Sequence, residues 1–390
     1  MNKLKFLEEF NEKINNSKSI LKKFWNYESL NSIPSIIVVP PYYNLDKGFI
    51  CTPGDFFQDH EIALNVQLET IKVHLEKIDD LYIPSLNTYL GTVLLASAFG
   101  GKIRHFKDKE PWVESYIIND YKDIDKIKKP HPKKDGLTKT LFERIEYWKN
   151  KTNGKIPISL SDCQGPLSIA IDLMGASKLY MGLYDGPKRI HSLLEIISEF
   201  IIDYLDLIYP IIESEDGIYE WTGIYFPKGK GRARISEDNI ISLSPDLFNE
   251  FLKPYNELIL KETKGGLVHW CGNGNQNLDN ILETKGLTGI HNSTMGDMNL
   301  IKKQLDRIRK FNHDNNRKVI YFNSLCLPTN VMFVNDLLKI EKGLKGIINQ
   351  IFYSVDNFGI SFDSKKEGQG YKKLVDNPKE ILKAFSKTIS

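Results

Sequence analysis

Short runs of β-branched and aromatic residues alternate along this chain with longer stretches whose apolar positions recur every three or four residues. The short runs are SIIVVP (Ser35–Pro40), DLYIPSL (Asp80–Leu86), KIPISLS (Lys155–Ser161) and DGIYEW (Asp216–Trp221). They continue with GLVHWC (Gly266–Cys271), LTGIHN (Leu287–Asn292), KVIYFNS (Lys318–Ser324) and GIINQIFYS (Gly346–Ser354). Each reads as a strand. HEIALNVQLETIKVHLEKI, KRIHSLLEIISEFIIDYLDLIYPII, PDLFNEFLKPYNELILKET and NLIKKQLDRIRKF read as amphipathic helices between them. Strands that alternate with helices in this way predict an α/β fold, a (β/α)8 TIM barrel. An open doubly wound sheet is the competing arrangement. It calls for a glycine-rich nucleotide fingerprint after the first strand, where this chain reads VVPPYYN.

The chain begins with MNKLKFLEEFNEKINNSKSILKKFW, an amphipathic helical pattern, so residues 1–34 are expected to form a helical extension. Residues 100–154 interrupt the alternation between the second and third strands. EPWVESYIINDY and TLFERIEYW within them are expected to be extra helices over one barrel end. With no repeat and no low-complexity linker, one domain over residues 1–390 is expected.

Composition changes this picture only by exclusion. Lysine and arginine number 52 against 50 acids, for a net charge of +2, so no polyanion-binding surface and no nucleic-acid partner is expected. The densest basic stretch, KIKKPHPKKDG, carries prolines and a glycine and reads as a solvated loop. The four cysteines, Cys51, Cys163, Cys271 and Cys326, are too few and too scattered for a disulfide framework. Together with the absence of a signal-peptide pattern and of any membrane-length apolar run, they place the expected protein in the cytoplasm.

A parallel barrel carries its chemistry where the strands end. Those ends hold Tyr42, Tyr43, Asn87, Asp162, Trp221, His269, Cys271, His291, Asn323 and Cys326. Alternate residues of a strand share a face, so His269 and Cys271 point the same way and Val268 and Trp270 the other. An imidazole and a thiol a few ångströms apart suit one tetrahedral zinc, and Cys326 is the candidate for a third ligand. The bland reading is a small buried cysteine beside a histidine that donates to a backbone carbonyl. Asp162, His291 and Asn323 are candidates for catalysis, and Tyr42, Tyr43, Asn87 and Trp221 for contact with a small-molecule substrate. Glu220 and Asp238 are acids whose partners the sequence does not reveal. WTGIYFPKGKGRARISED, with Lys228, Lys230, Arg232 and Arg234, reads as an exposed lid in preference to an anion clamp.

Three segments then resemble the uroporphyrinogen decarboxylase superfamily, in the right order. They are SDCQGPLSIAIDLMGASKLYMGLYDGPKRIHSLLEIISEF, ISLSPDLFNEFLKPYNELI and LVHWCGNGNQNLDNILETKGLTGIH. The resemblance implies a (β/α)8 barrel. The decarboxylase branch places arginines after the first strand and an aspartate after the second. Here PPYYN and PSLNTY, with Asn87, stand at those places, and the first arginine is Arg104. The HxC strand is similar to that of the cobamide-dependent methyltransferases. That similarity implies one zinc per chain on His269 and Cys271, and methyl transfer between a corrinoid on a partner protein, or a folate, and a thiol. The family's third ligand is a cysteine after the last strand, whereas IFYSVDNFGIS has none, so Cys326 is expected to substitute. The alternatives are a metal-free decarboxylase or lyase and a non-catalytic corrinoid- or tetrapyrrole-binding barrel. The related proteins also imply a homodimer.

Overall fold

The computed structural model describes residues 4–30, 34–294, 297–327 and 346–353. Its centre is a parallel sheet of seven strands. Their order is Ser35–Val38, Ile347–Tyr353, Ile320–Leu327, Leu287–Ser293, Gly266–Cys271, Ala233–Ser236, Cys163–Gln164. Every neighbouring pair is parallel. This is sequence order wrapped round a circle, the topology of a (β/α)8 barrel. The remaining stave runs through Leu86, which forms a parallel bridge with Ile158. On its other side the Leu81 N–H donates to Ser35 O at 3.1 Å.

The fourth stave differs from the sequence expectation. Asp216–Trp221 does not join the seven-stranded sheet. Gly217–Glu220 is the first arm of an antiparallel hairpin with Tyr225–Pro227, and it pairs with Ser159–Leu160. The barrel strand is Ala233–Ser236, inside the stretch read as a lid. The hairpin tip enters the lumen. Trp221 N–H donates to Leu160 O at 2.9 Å. The Asn87 amide donates to Trp221 O at 3.0 Å, and the Gln350 amide to Thr222 O at 3.1 Å. Strands two, three and eight therefore all hold it.

The helical extension is present, as Phe6–Glu9 and Asn11–Trp25. Its last turn closes the lumen where the strands begin. The Trp25 ring packs at 5.8 Å from Phe322 and 5.2 Å from Phe226, and its indole N–H donates to Tyr225 O at 2.7 Å. The insertion is only partly helical. Lys102–Arg104 and Trp112–Ser115 form an antiparallel hairpin, so EPWVES is largely a strand; Gly136–Thr152 is the long helix. The helix Pro187–Ile212 lays Ile190, Leu193, Leu194, Ile197, Ile201, Tyr204 and Ile208 into the core at three- and four-residue spacing. Among the described residues no helix is long and apolar enough to cross a membrane.

Candidate metal centre

The strand Gly266–Cys271 is parallel to both neighbours, with Ser236 level with His269 and His269 level with His291. Alternation turns Val268 and Trp270 outward, where both are buried, and turns His269 and Cys271 into the lumen. His269 Nδ1 lies 3.0 Å from His291 O. A carbonyl only accepts, so Nδ1 carries the hydrogen and Nε2 keeps its lone pair. That lone pair lies 3.7 Å from Cys271 Sγ and 3.6 Å from Asp238 Oδ1.

Asp238 comes from the next stave, two residues beyond Ser236. The Cys271 backbone N–H donates to its Oδ1 at 2.8 Å. The three candidate ligand atoms all lie within 4.8 Å of one another. Burial, then the nearby Arg234 charge, pulls the His269 pKa well below the usual histidine range. The imidazole is therefore neutral, and its approach to Asp238 is no ion pair. Desolvation also raises the Asp238 pKa, while the Cys271 side chain and N–H oppose it. An imidazole nitrogen, a sulfur and a carboxylate oxygen thus converge. This donor set suits a borderline-soft divalent ion such as zinc, and the His269–His291 bond is the kind that orients a metal-binding imidazole.

Beneath this trio lies a buried charge network. Arg234 Nη2 donates to Asp162 Oδ1 at 2.8 Å, Nε to Glu220 Oε1 at 2.9 Å and Nη1 to Ser236 Oγ at 2.9 Å. Asp162 also accepts from Ser236 Oγ, the Trp221 indole and the Gln164 amide. Glu220 accepts from the Thr222 N–H and hydroxyl. Burial raises the Glu220 pKa, and Arg234 is the strongest influence holding it down. Arg234 is thus no lid residue, and Asp162 is the counter-ion of Arg234.

The remaining candidates separate into near and far. His291 is 1% exposed, with its ring 4.5 Å from that of His269; burial, His269 and Arg234 keep it neutral. Asn323 is level with Asn292, while Phe322 and Ser324 are level with His291 and Ser293. By alternation its side chain faces away from the lumen, which removes it from the catalytic set. Tyr42 and Tyr43 are buried in aromatic packing with Phe49, Phe56 and Phe57. Trp221 stacks on Tyr89 at 4.2 Å, and Asn87 holds the hairpin tip below them. Cys326 stands in the strand Ile320–Leu327, and its side chain lies outside the described residues. Asp238 is the candidate ligand that sequence reasoning left without a role. Its signal was its place just past RARIS, which becomes informative once that segment is read as a strand.

Residues 26–209 match the family model of uroporphyrinogen decarboxylase (URO-D). The match ends before Asp238, His269 and Cys271, so it does not bear on the ligands. A search of curated proteins finds no match. Among solved structures, a methyltransferase from Methanosarcina mazei aligns with a TM-score of 0.61 and 16% identity, over 86% of this chain and 92% of that one. At that identity the likeness is one of fold. The family match over residues 26–209 and the shared fold agree with the resemblance read from the sequence, and the chain folds as a (β/α)8 barrel.

Proposed function

We propose that this chain is a zinc-dependent methyltransferase that moves a methyl group between a corrinoid on a partner protein and a small thiol. The observation that carries the reading is the convergence of His269 Nε2, Cys271 Sγ and Asp238 Oδ1 within 4.8 Å at the strand ends. Bound zinc would lower the pKa of an acceptor thiol and hold it as the nucleophilic thiolate. The residues of the chain prepare for this. The His291 carbonyl fixes the His269 tautomer, and the Cys271 N–H fixes the Asp238 carboxylate. The Arg234 network and the hairpin tip form the floor of the cup beneath them. The methyltransferase fold neighbour supports the same reading. A polycarboxylate substrate is disfavoured, because the lumen guanidinium of Arg234 already engages Asp162, Glu220 and Ser236 through its three nitrogens.

The test is metal content by mass spectrometry on protein purified without added metal. About one zinc per chain is expected. His269→Ala and Cys271→Ser should lose it, and Asp238→Asn should bind it more weakly. The methyl thioether of an added small thiol is then sought as the product of the loaded enzyme, with free methylcobalamin as methyl donor. Absence of metal from the wild type, even with zinc supplied under reducing conditions, would overturn the proposal.

A further inference from the structure

We infer that Glu237 is a positioning residue that fixes Asp238 as a metal ligand; the inference rests on the metal reading above. The helix Pro166–Met174 starts without a cap of its own. Its N-cap is Gly165, which has no side chain, and Pro166 fills the first turn. The first N–H groups of such a helix are left without intrahelical partners. Glu237, at the end of the neighbouring strand, supplies them. Its carboxylate accepts from Leu167 N at 3.2 Å, Ser168 N at 3.1 Å and Ser168 Oγ at 3.0 Å.

The seat is shaped to the carboxylate. A Cβ on Gly165 would lie 2.1 Å from Glu237 Oε1. The backbone is pinned on both sides, by Gly165 N–H to Ser236 O at 2.8 Å and by Glu237 N–H to His269 O at 2.8 Å. Glu237 is fully buried, and among the described residues no cation pairs with it. An apolar side chain would fill the same seam without the cost of burying a carboxyl group. What the carboxyl group adds is direction, because three hydrogen bonds fix the strand end to the helix. The next residue is Asp238, whose Oδ1 accepts from Cys271 N–H and lies 3.6 Å from His269 Nε2.

The test measures zinc affinity by competition with a chromophoric chelator, and the visible d–d spectrum of the cobalt-loaded protein. The variants are Glu237→Ala, Glu237→Gln, Ser168→Ala, Asp238→Ala and the double variant E237A/D238A. Glu237→Ala should weaken zinc about 10–100-fold, the range for residues that orient ligands, and should shift the cobalt bands. Glu237→Gln and Ser168→Ala should give smaller losses of the same kind, and they carry the test if Glu237→Ala does not fold. In the Asp238→Ala background, Glu237→Ala should change affinity by less than about twofold, because its effect runs through Asp238. Wild-type affinity and spectrum in Glu237→Ala and Ser168→Ala would overturn the inference. So would an equal loss with and without Asp238. A wild type that binds no metal is a separate result, which removes the metal reading itself.

Discussion

Arg234→Met tests the charge network on which the cup rests. The side chains of Arg234, Asp162 and Glu220 are 2%, 2% and 1% exposed, and the two acids meet the guanidinium at 2.8 and 2.9 Å. Methionine keeps much of the volume and removes the cation, leaving two buried carboxylates without their partner. Breaking a buried pair by deleting one partner costs about 3–5 kcal/mol. Unfolding entropy of roughly 2.1 cal/mol/K per residue gives about 0.8 kcal/mol/K for a chain of this size. The expected fall in melting temperature is therefore about 4–6 °C, read by calorimetry at pH 8.

The pH dependence sharpens the test. Burial already raises the Glu220 pKa, and Arg234 opposes it, so removing Arg234 raises it further. An acid whose folded pKa lies above its unfolded value leaves the fold unpenalised below the unfolded value. The penalty grows as pH rises through the folded value. The deficit of Arg234→Met should therefore shrink between pH 8 and pH 5. Adding Asp162→Asn and Glu220→Gln should restore most of it at pH 8. A deficit under about 1 kcal/mol, far below the cost of an unpaired buried charge, or one that neutralising both acids leaves intact, would refute the reasoning.

Two further outcomes follow from single positions. Gly165→Ala should cost about 1–3 kcal/mol, the usual range for overpacking, and should weaken zinc as Glu237→Ala does. Gly165 has an ordinary φ of −80°, so lost space is the cause; an unchanged melting temperature would contradict it. Asp172 has its pKa raised to about 7 by burial. The charge it gains as pH rises from 4 to 8 opposes folding, so Asp172→Asn should gain stability relative to wild type across that window. A difference flat in pH would show that the carboxyl is well hydrated.

The barrel was legible because its strands are rich in β-branched and aromatic residues and are bounded by turn residues. GLVHWC and KVIYFNS announce themselves in that way. The fourth stave did not, because Ala233–Ser236 is only four residues long and turns Arg234 and Ser236 into a polar lumen. Its alternation of Ala233 and Ile235 with Arg234 and Ser236 spans only four residues, too few to stand out, whereas GIYEW nearby has the composition of a strand and forms a hairpin arm instead. EPWVES failed for a related reason. A short two-stranded hairpin at the surface imposes little burial, so its pattern is weak. His269 and Cys271 were legible together because alternation needs only local sequence. Asp238 was not, because its place beside them depends on the register of Ser236 with His269, which only the assembled sheet sets.

So short a strand is held in that register by contacts on both of its faces. Arg234 and Ser236 point inward and tie the hairpin tip to the third stave through Asp162 and Glu220. Glu237 turns outward and holds the helix that follows the third stave. Asp238 then stands over the mouth, beside His269 and Cys271. Stability of this segment comes from the ladder to its two neighbours, from the buried outward side chains of Ala233 and Ile235, and from the polar contacts on its lumen face. On the metal reading, a carboxylate from the adjacent strand end completes three ligands without the late cysteine that the sequence resemblance implies. Such a ligand ties metal affinity to the position of the fourth stave. Loosening that strand from either side, at Glu237 or at Arg234, should therefore weaken metal binding as well as the fold.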